Sequence, residues 1–179
     1  MKLLMFDTSQ EFCTLALVVG DAQWVVDRYL PRQQAQQLLP LISELLMEGE
    51  CPLHELNGLV VGAGPGSFTG VRIAVAMAQG LGFSLDLPIL RLSSLQIMAQ
   101  TAWQQLQYPR VLVAIDARME EVYWGAYEVD SGTMMPVLPD RLSRPGEVAV
   151  PDQKDWLILG NAWQTYEQQF MLSDAVEVP

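Results

Sequence analysis

The stretch LVVGAGPGSFTGVRI, Leu59 to Ile73, decides how the chain is read. Leu59 to Gly62 is a short apolar run of the kind that forms a buried strand. Gly64, Pro65 and Gly66 then break the pattern, and Ser67 stands where a helix N-cap belongs. From Phe68 to about Phe83 apolar residues recur at helical spacing. A strand, a glycine turn and a helix in that order imply a crossover unit in an α/β domain with a partly parallel sheet. Such a turn can bind an anion, because glycines expose backbone amides and the helix dipole adds positive potential. Gly64, Gly66, Ser67, Thr69 and Gly70 are the candidate phosphate contacts. No lysine follows the last glycine, so the turn is not a Walker A loop, and it lacks the dinucleotide spacing. The competing reading is a structural turn in which Ser67 caps the helix.

The helix after the turn carries an unusual ridge. Gly70, Ala74, Ala78 and Gly82 recur every fourth residue and present almost no side chain. Glycine inside a helix costs ~1 kcal/mol relative to alanine, so close packing is expected there. The ridge could meet the domain's own sheet or another molecule, and the residue pattern leaves both open.

Upstream, Leu3 to Phe6 is an apolar run ending in Asp7, Thr8 and Ser9, and two further β-rich runs follow around the Gly20-Asp21 turn. Together they read as a three-stranded meander. Leu38, Leu39, Ile42, Leu45 and Leu46 mark a first helix, with Pro40 inside it as a helix-restricting residue. Downstream, Ile89 to Leu92 reads as a strand, and Ser93 caps a third helix reaching about Leu106.

After Pro109 the beginning of the chain is echoed. Val111 to Ile115 is an apolar run ending in Asp116, and Val122 to Val129 returns as a strand. The repeat suggests two related lobes, residues 1–107 and a smaller second lobe of 108–179, with Asp7 and Asp116 facing one cleft. From Met134 onward the prolines Pro136, Pro139, Pro145 and Pro151 read as a loop-rich stretch. Trp156 to Leu159 reads as a strand and Ala162 to Phe170 as a short helix.

The 179 residues are 50% hydrophobic and 17% charged, which excludes global disorder. The formal net charge of −11 repels phosphate backbones, so unaided nucleic-acid binding is disfavoured and a basic protein partner fits better. No wholly apolar run approaches the ~20 residues of a membrane span. Only Cys13 and Cys51 are present, with no C-x-x-C spacing, and the expectation is a protein of the reducing cytoplasm. His54 is the sole histidine, so neither a histidine-based metal site nor a nucleophile–histidine pair can be assembled. Asp7 and Asp116 are placed like carboxylates that hold magnesium in a phosphotransferase cleft. Thr8 and Ser9, however, stand where a glycine would let a hairpin approach phosphates.

The strings FDTS (Phe6 to Ser9), GPGSFTGVRI (Gly64 to Ile73) and AIDARMEEVYW (Ala114 to Trp124), in order and in register, resemble the TsaB family, also called YeaZ. The resemblance covers about Leu3 to Trp163. It implies an actin-like, RNase H-type α/β fold of two duplicated lobes, here with the second lobe incomplete against longer relatives. It also implies a cytosolic, non-enzymatic subunit required for N6-threonylcarbamoyladenosine in tRNA. The chemistry would belong to a TsaD-type homologue assisted by a TsaE-type ATPase, with tRNA met only through the complex and no membrane involved. The resemblance further implies a homodimer when those partners are missing. ATP or ADP with magnesium would enter only in the assembled complex. The family's partner surface is built from the first two helices, which points to Leu38, Leu39, Ile42, Leu46, Val71, Ala74, Val75 and Ala78. That turns the reading of the small-residue ridge toward an intermolecular contact. By the same resemblance Ser94 and Met98 stand in for the homologue's metal-binding histidine pair, and Gln33 and Gln34 follow Arg32 where relatives carry a histidine. The runner-up function is an actin-like ATPase or nucleotide sensor acting through Asp7, Thr8, Ser9, Asp116 and the glycine turn. A glycopeptidase is a third reading, and the single histidine argues against it.

Overall fold

The computed structural model describes residues 1–151 and 155–171, together with the backbone of Val176–Glu177. The chain forms two compact units, Met1–Ser94 and Leu95–Pro179. Leu95 onward, and with it nearly all of the third helix, therefore goes with the second unit, whereas the sequence reading kept that helix in the first lobe by ending it at residue 107.

In the first unit, β1 (Lys2–Asp7), β2 (Phe12–Val19) and β3 (Ala22–Tyr29) form the meander, followed by α1 (Gln34–Glu48), β4 (Gly58–Gly62), α2 (Phe68–Leu85) and β5 (Ile89–Leu92). The strand order is β3-β2-β1-β4-β5. β1 runs antiparallel to β2 and parallel to β4, as hairpin and crossover connections require. Alternate strand residues point to one face, where Leu4, Phe6, Leu15, Leu17, Leu59 and Val61 meet Leu38, Ile42 and Leu45 of α1 and Ala74 and Ala78 of α2 in one core cluster. α1 continues through Pro40, which lies on the exposed side with Gln36, so water can take the carbonyl that proline leaves unbonded.

The second unit repeats the plan. α3 (Ser94–Leu106) leads into β6 (Arg110–Arg118), β7 (Glu121–Asp130), β8 (Thr133–Ser143), β9 (Trp156–Leu159), α4 (Ala162–Thr165) and β10 (Val176–Glu177). Its sheet is ordered β10-β9-β6-β7-β8, with β6 antiparallel to β7 and parallel to β9. Read from the meander edge, both sheets are third strand, second, first, fourth, fifth. β6 is buried without alternation from Val111 to Ile115 because both faces are covered. Leu95 and Ala99 of α3 pack with Val111, Val113 and Ile115, while Ala162 and Trp163 of α4 pack with Leu112 and Ala114.

Two readings need correction here. The proline-punctuated stretch from Met134 is not all loop, because β8 runs through Pro136 and Pro139. β8 is an edge strand with irregular register against β7, and an edge tolerates a missing amide. The helix expected from Ala162 to Phe170 is one α-turn, Ala162–Thr165, followed by a 3-10 turn at Glu167–Gln169.

Both cysteines are buried and unbridged. Burial, aided by the nearby Asp7 and Asp27 carboxylates, pushes the Cys13 thiol up to about 11. The neutral thiol is thus favoured by folding below its ordinary value near 9, and that contribution is lost as pH rises through about 11. At pH 8 the native protein is expected to resist iodoacetamide at Cys13, and mass spectrometry should find it alkylated only after denaturation.

Candidate functional site

Asp7 ends β1, and the carboxylate fits beside β4 only because residue 62 is glycine. A Cβ there would lie 2.0 Å from Asp7 Oδ2. Oδ1 accepts the Ser9 amide at 2.5 Å, and Oδ2 accepts the Ser94 hydroxyl at 2.7 Å. The same Ser94 oxygen accepts the Gly64 amide at 3.2 Å, while the Ser94 amide donates to the Gly64 carbonyl at 2.9 Å. Ser94, the residue that the family resemblance set in place of a metal-binding histidine, is therefore the clasp between the glycine turn and Asp7.

The glycine turn closes on the chain's own β1–β2 connection. The Thr8 hydroxyl donates to the Gly70 carbonyl at 2.7 Å, and the Ser67 amide donates to the Ser9 carbonyl at 2.7 Å. A Cβ on Gly66 would lie 2.5 Å from the Ser9 carbonyl oxygen, and one on Gly70 would lie 1.9 Å from that of Thr8. Thr8 and Ser9 are buried beneath the turn. The close approach that glycine permits is thus used by the protein's own backbone at Gly66 and Gly70, over buried Thr8 and Ser9. Ser67 acts as the cap expected of it, its hydroxyl accepting the Gly70 amide at 3.3 Å. Ser67 and Thr69 are the exposed members of the set.

In the second unit Asp116 ends the apolar run of β6 as Asp7 ends β1. Its Oδ1 accepts the Arg118 amide at 2.8 Å, repeating the bond from the residue two positions on that Asp7 makes with Ser9. Oδ1 also accepts the Tyr166 hydroxyl at 2.8 Å, and Oδ2 lies 3.1 Å from the Arg118 guanidinium. The Asp116 amide donates to Asn161 Oδ1 at 2.9 Å. The hydrogen bond to Asp116 raises the Tyr166 phenol above its ordinary range. Gly62, Asn161 and Tyr166 escaped the sequence reading. Gly62 carried a signal, being a glycine where a strand meets a carboxylate. The other two are ordinary polar residues some 45 and 50 positions from Asp116, and no local pattern marks them.

The proposed partner surface divides sharply. Leu38, Ile42, Leu46, Ala74 and Ala78 are buried in the first unit's own core, so the small-residue ridge packs internally and these five cannot meet a partner directly. Leu39 is 50% exposed, and Val71 and Val75 are half-buried on α2. Phe68 and Phe83, at the two ends of α2, are 73% and 94% exposed, with Arg72 stacked 3.3 Å over the Phe68 ring. By length and composition alone α2 is apolar enough to cross a membrane. Its ridge, however, is tied into the core at Ala74 and Ala78.

Two copies of the same five-stranded mixed sheet, each beginning with a strand that leads to a bonded aspartate, define the duplicated actin-like class. The family model described as TsaD: tRNA N6-adenosine threonylcarbamoyltransferase matches residues 25–174. The chain is 38% identical over 170 residues to the tRNA threonylcarbamoyladenosine biosynthesis protein TsaB of Escherichia coli, covering 93% of this chain and 74% of that protein. It is 29% identical over 178 residues to TsaB of Buchnera aphidicola subsp. Schizaphis graminum, covering 93% of this chain and 81% of the relative. The solved structure of YeaZ from Pseudomonas aeruginosa superposes with a TM-score of 0.94 at 40% identity, over 99% of this chain and 83% of that one. The chain belongs to the TsaB (YeaZ) family.

Proposed function

We propose that this chain is a non-catalytic subunit in tRNA threonylcarbamoyladenosine biosynthesis, supporting a TsaD-type homologue that performs the transfer. The family names support the pathway. The observation that carries the subunit role is the state of the two strand-end carboxylates. Asp7 is held by Ser9 and Ser94, and Asp116 by Arg118 and Tyr166, so both are engaged by their own chain. A magnesium nucleotide at these atoms would have to compete with those bonds. ATP or ADP then belongs to the assembled complex with its TsaE-type ATPase, and tRNA is met through that complex in the cytoplasm. The outer sides of α1 and α2 supply the contact, and the same face closes a homodimer when the partner is missing.

Mixing the purified chain with its TsaD-type homologue is expected to give a heterodimer by light scattering at micromolar concentration. Two unassociated monomer peaks would overturn the reading. Calorimetric titration of the isolated chain with ATP and magnesium is expected to give no binding heat. Micromolar binding would instead favour an actin-like nucleotide sensor.

A further inference from the structure

We infer that the tip of the β6–β7 hairpin, Arg118-Met119-Glu120, is a docking point for a protein partner whose surface offers an apolar pocket rimmed by basic side chains. This rests on the subunit reading above and adds a contact on the second unit. The three residues have φ of +69°, +54° and +60°. Arg118 pairs with Glu121, so Met119 and Glu120 form a two-residue turn with both central residues left-handed, a geometry that favours Asn-Gly. The β2–β3 and β7–β8 hairpins also have two-residue loops, and both contain glycine, Gly20-Asp21 in one and Ser131-Gly132 in the other. The β6–β7 turn instead places three side-chain-bearing residues where L-residues are strained.

That conformation is held from behind. The Arg118 amide and guanidinium both bind Asp116, which the Tyr166 hydroxyl and the Asn161 amide oxygen fix in turn. The effect is to hold Met119 outward, 93% exposed, on a braced hairpin. A flexible, apolar thioether held on a fixed turn can fill an irregular apolar pocket on a partner. Arg118 is already neutralised by Asp116, whereas Glu120 and Glu121 beside the methionine leave the rim acidic. With the net charge of −11, this selects a basic protein rim over an anionic lipid or nucleic-acid surface.

The test titrates the full chain with its purified TsaD-type homologue, comparing wild type, Met119→Gly and Met119→Leu by dissociation constant and Tm. Met119→Gly relieves the backbone and removes the side chain, so Tm should hold or rise while the dissociation constant weakens about tenfold or more. Met119→Leu should bind like wild type. Unchanged affinity of the glycine variant would overturn the docking role and leave only a strained turn. A leucine variant as weak as the glycine one would overturn the apolar pocket. Failure of wild type to associate would instead bring down the subunit reading, and this inference with it.

Discussion

Replacing Gly70 with alanine is expected to cost about 3 kcal/mol of stability, while the same change at Gly80, ten residues along the same helix, should add up to about 1 kcal/mol. At Gly70 the new methyl would lie 1.9 Å from the Thr8 carbonyl oxygen, a backbone atom that cannot swing aside. The start of α2 must then retreat from β1 and break the buried bond from the Thr8 hydroxyl to the Gly70 carbonyl. Overpacking costs about 1–3 kcal/mol and an orphaned buried hydroxyl a further 1–3, against ~1 kcal/mol gained in helix propensity. At Gly80 nothing lies within 4 Å of the added Cβ, so only the propensity gain remains. Urea unfolding of the two variants checks the pair. A neutral Gly70→Ala would mean that the ridge does not seat α2 on the β1–β2 connection.

The contrast between these two glycines also marks how far the sequence could be read. Periodicity found the strand, turn and helix around Leu59 to Ile73, because each element obeys its own local chemistry. The echo of Asp7 in Asp116 was legible for the same reason, and the two matching sheet orders bear out the duplication. What local pattern could not disclose is which backbone approaches a glycine. Gly66 and Gly70 could also be read as a phosphate cradle, and only the fold brings the Ser9 and Thr8 carbonyls against them. Ser94 is a second case. Its place at the start of α3 was clear, but its bond to Asp7 spans 87 residues. The strand through Pro136 and Pro139 failed differently, since proline forbids a central strand but not an edge, and edge position is a property of the whole sheet.

Burial also reorders the predicted partner surface, and the largest binding effects should follow that order. Leu39→Glu and Val75→Glu place a charge on the outer sides of α1 and α2, where neither side chain is part of the buried core. If this face meets the TsaD-type homologue, a buried unpaired carboxylate there should cost about 2–4 kcal/mol of association, or roughly 30- to 1,000-fold in affinity. The circular dichroism of both should be unchanged; Tm should hardly move for exposed Leu39→Glu, at about 0.5 kcal/mol or less, and fall modestly for half-buried Val75→Glu, by about 1 kcal/mol. Ala78→Leu must behave in the opposite way. Ala78 is buried in the core cluster beside Ala74, so three extra carbons force α2 away from the sheet and lower Tm before any partner is added. Calorimetric titration and thermal melts on the same three variants separate the cases. Full-affinity binding by both glutamate variants would remove α1 and α2 from the interface. An Ala78→Leu protein with wild-type stability would mean that the ridge faces outward after all.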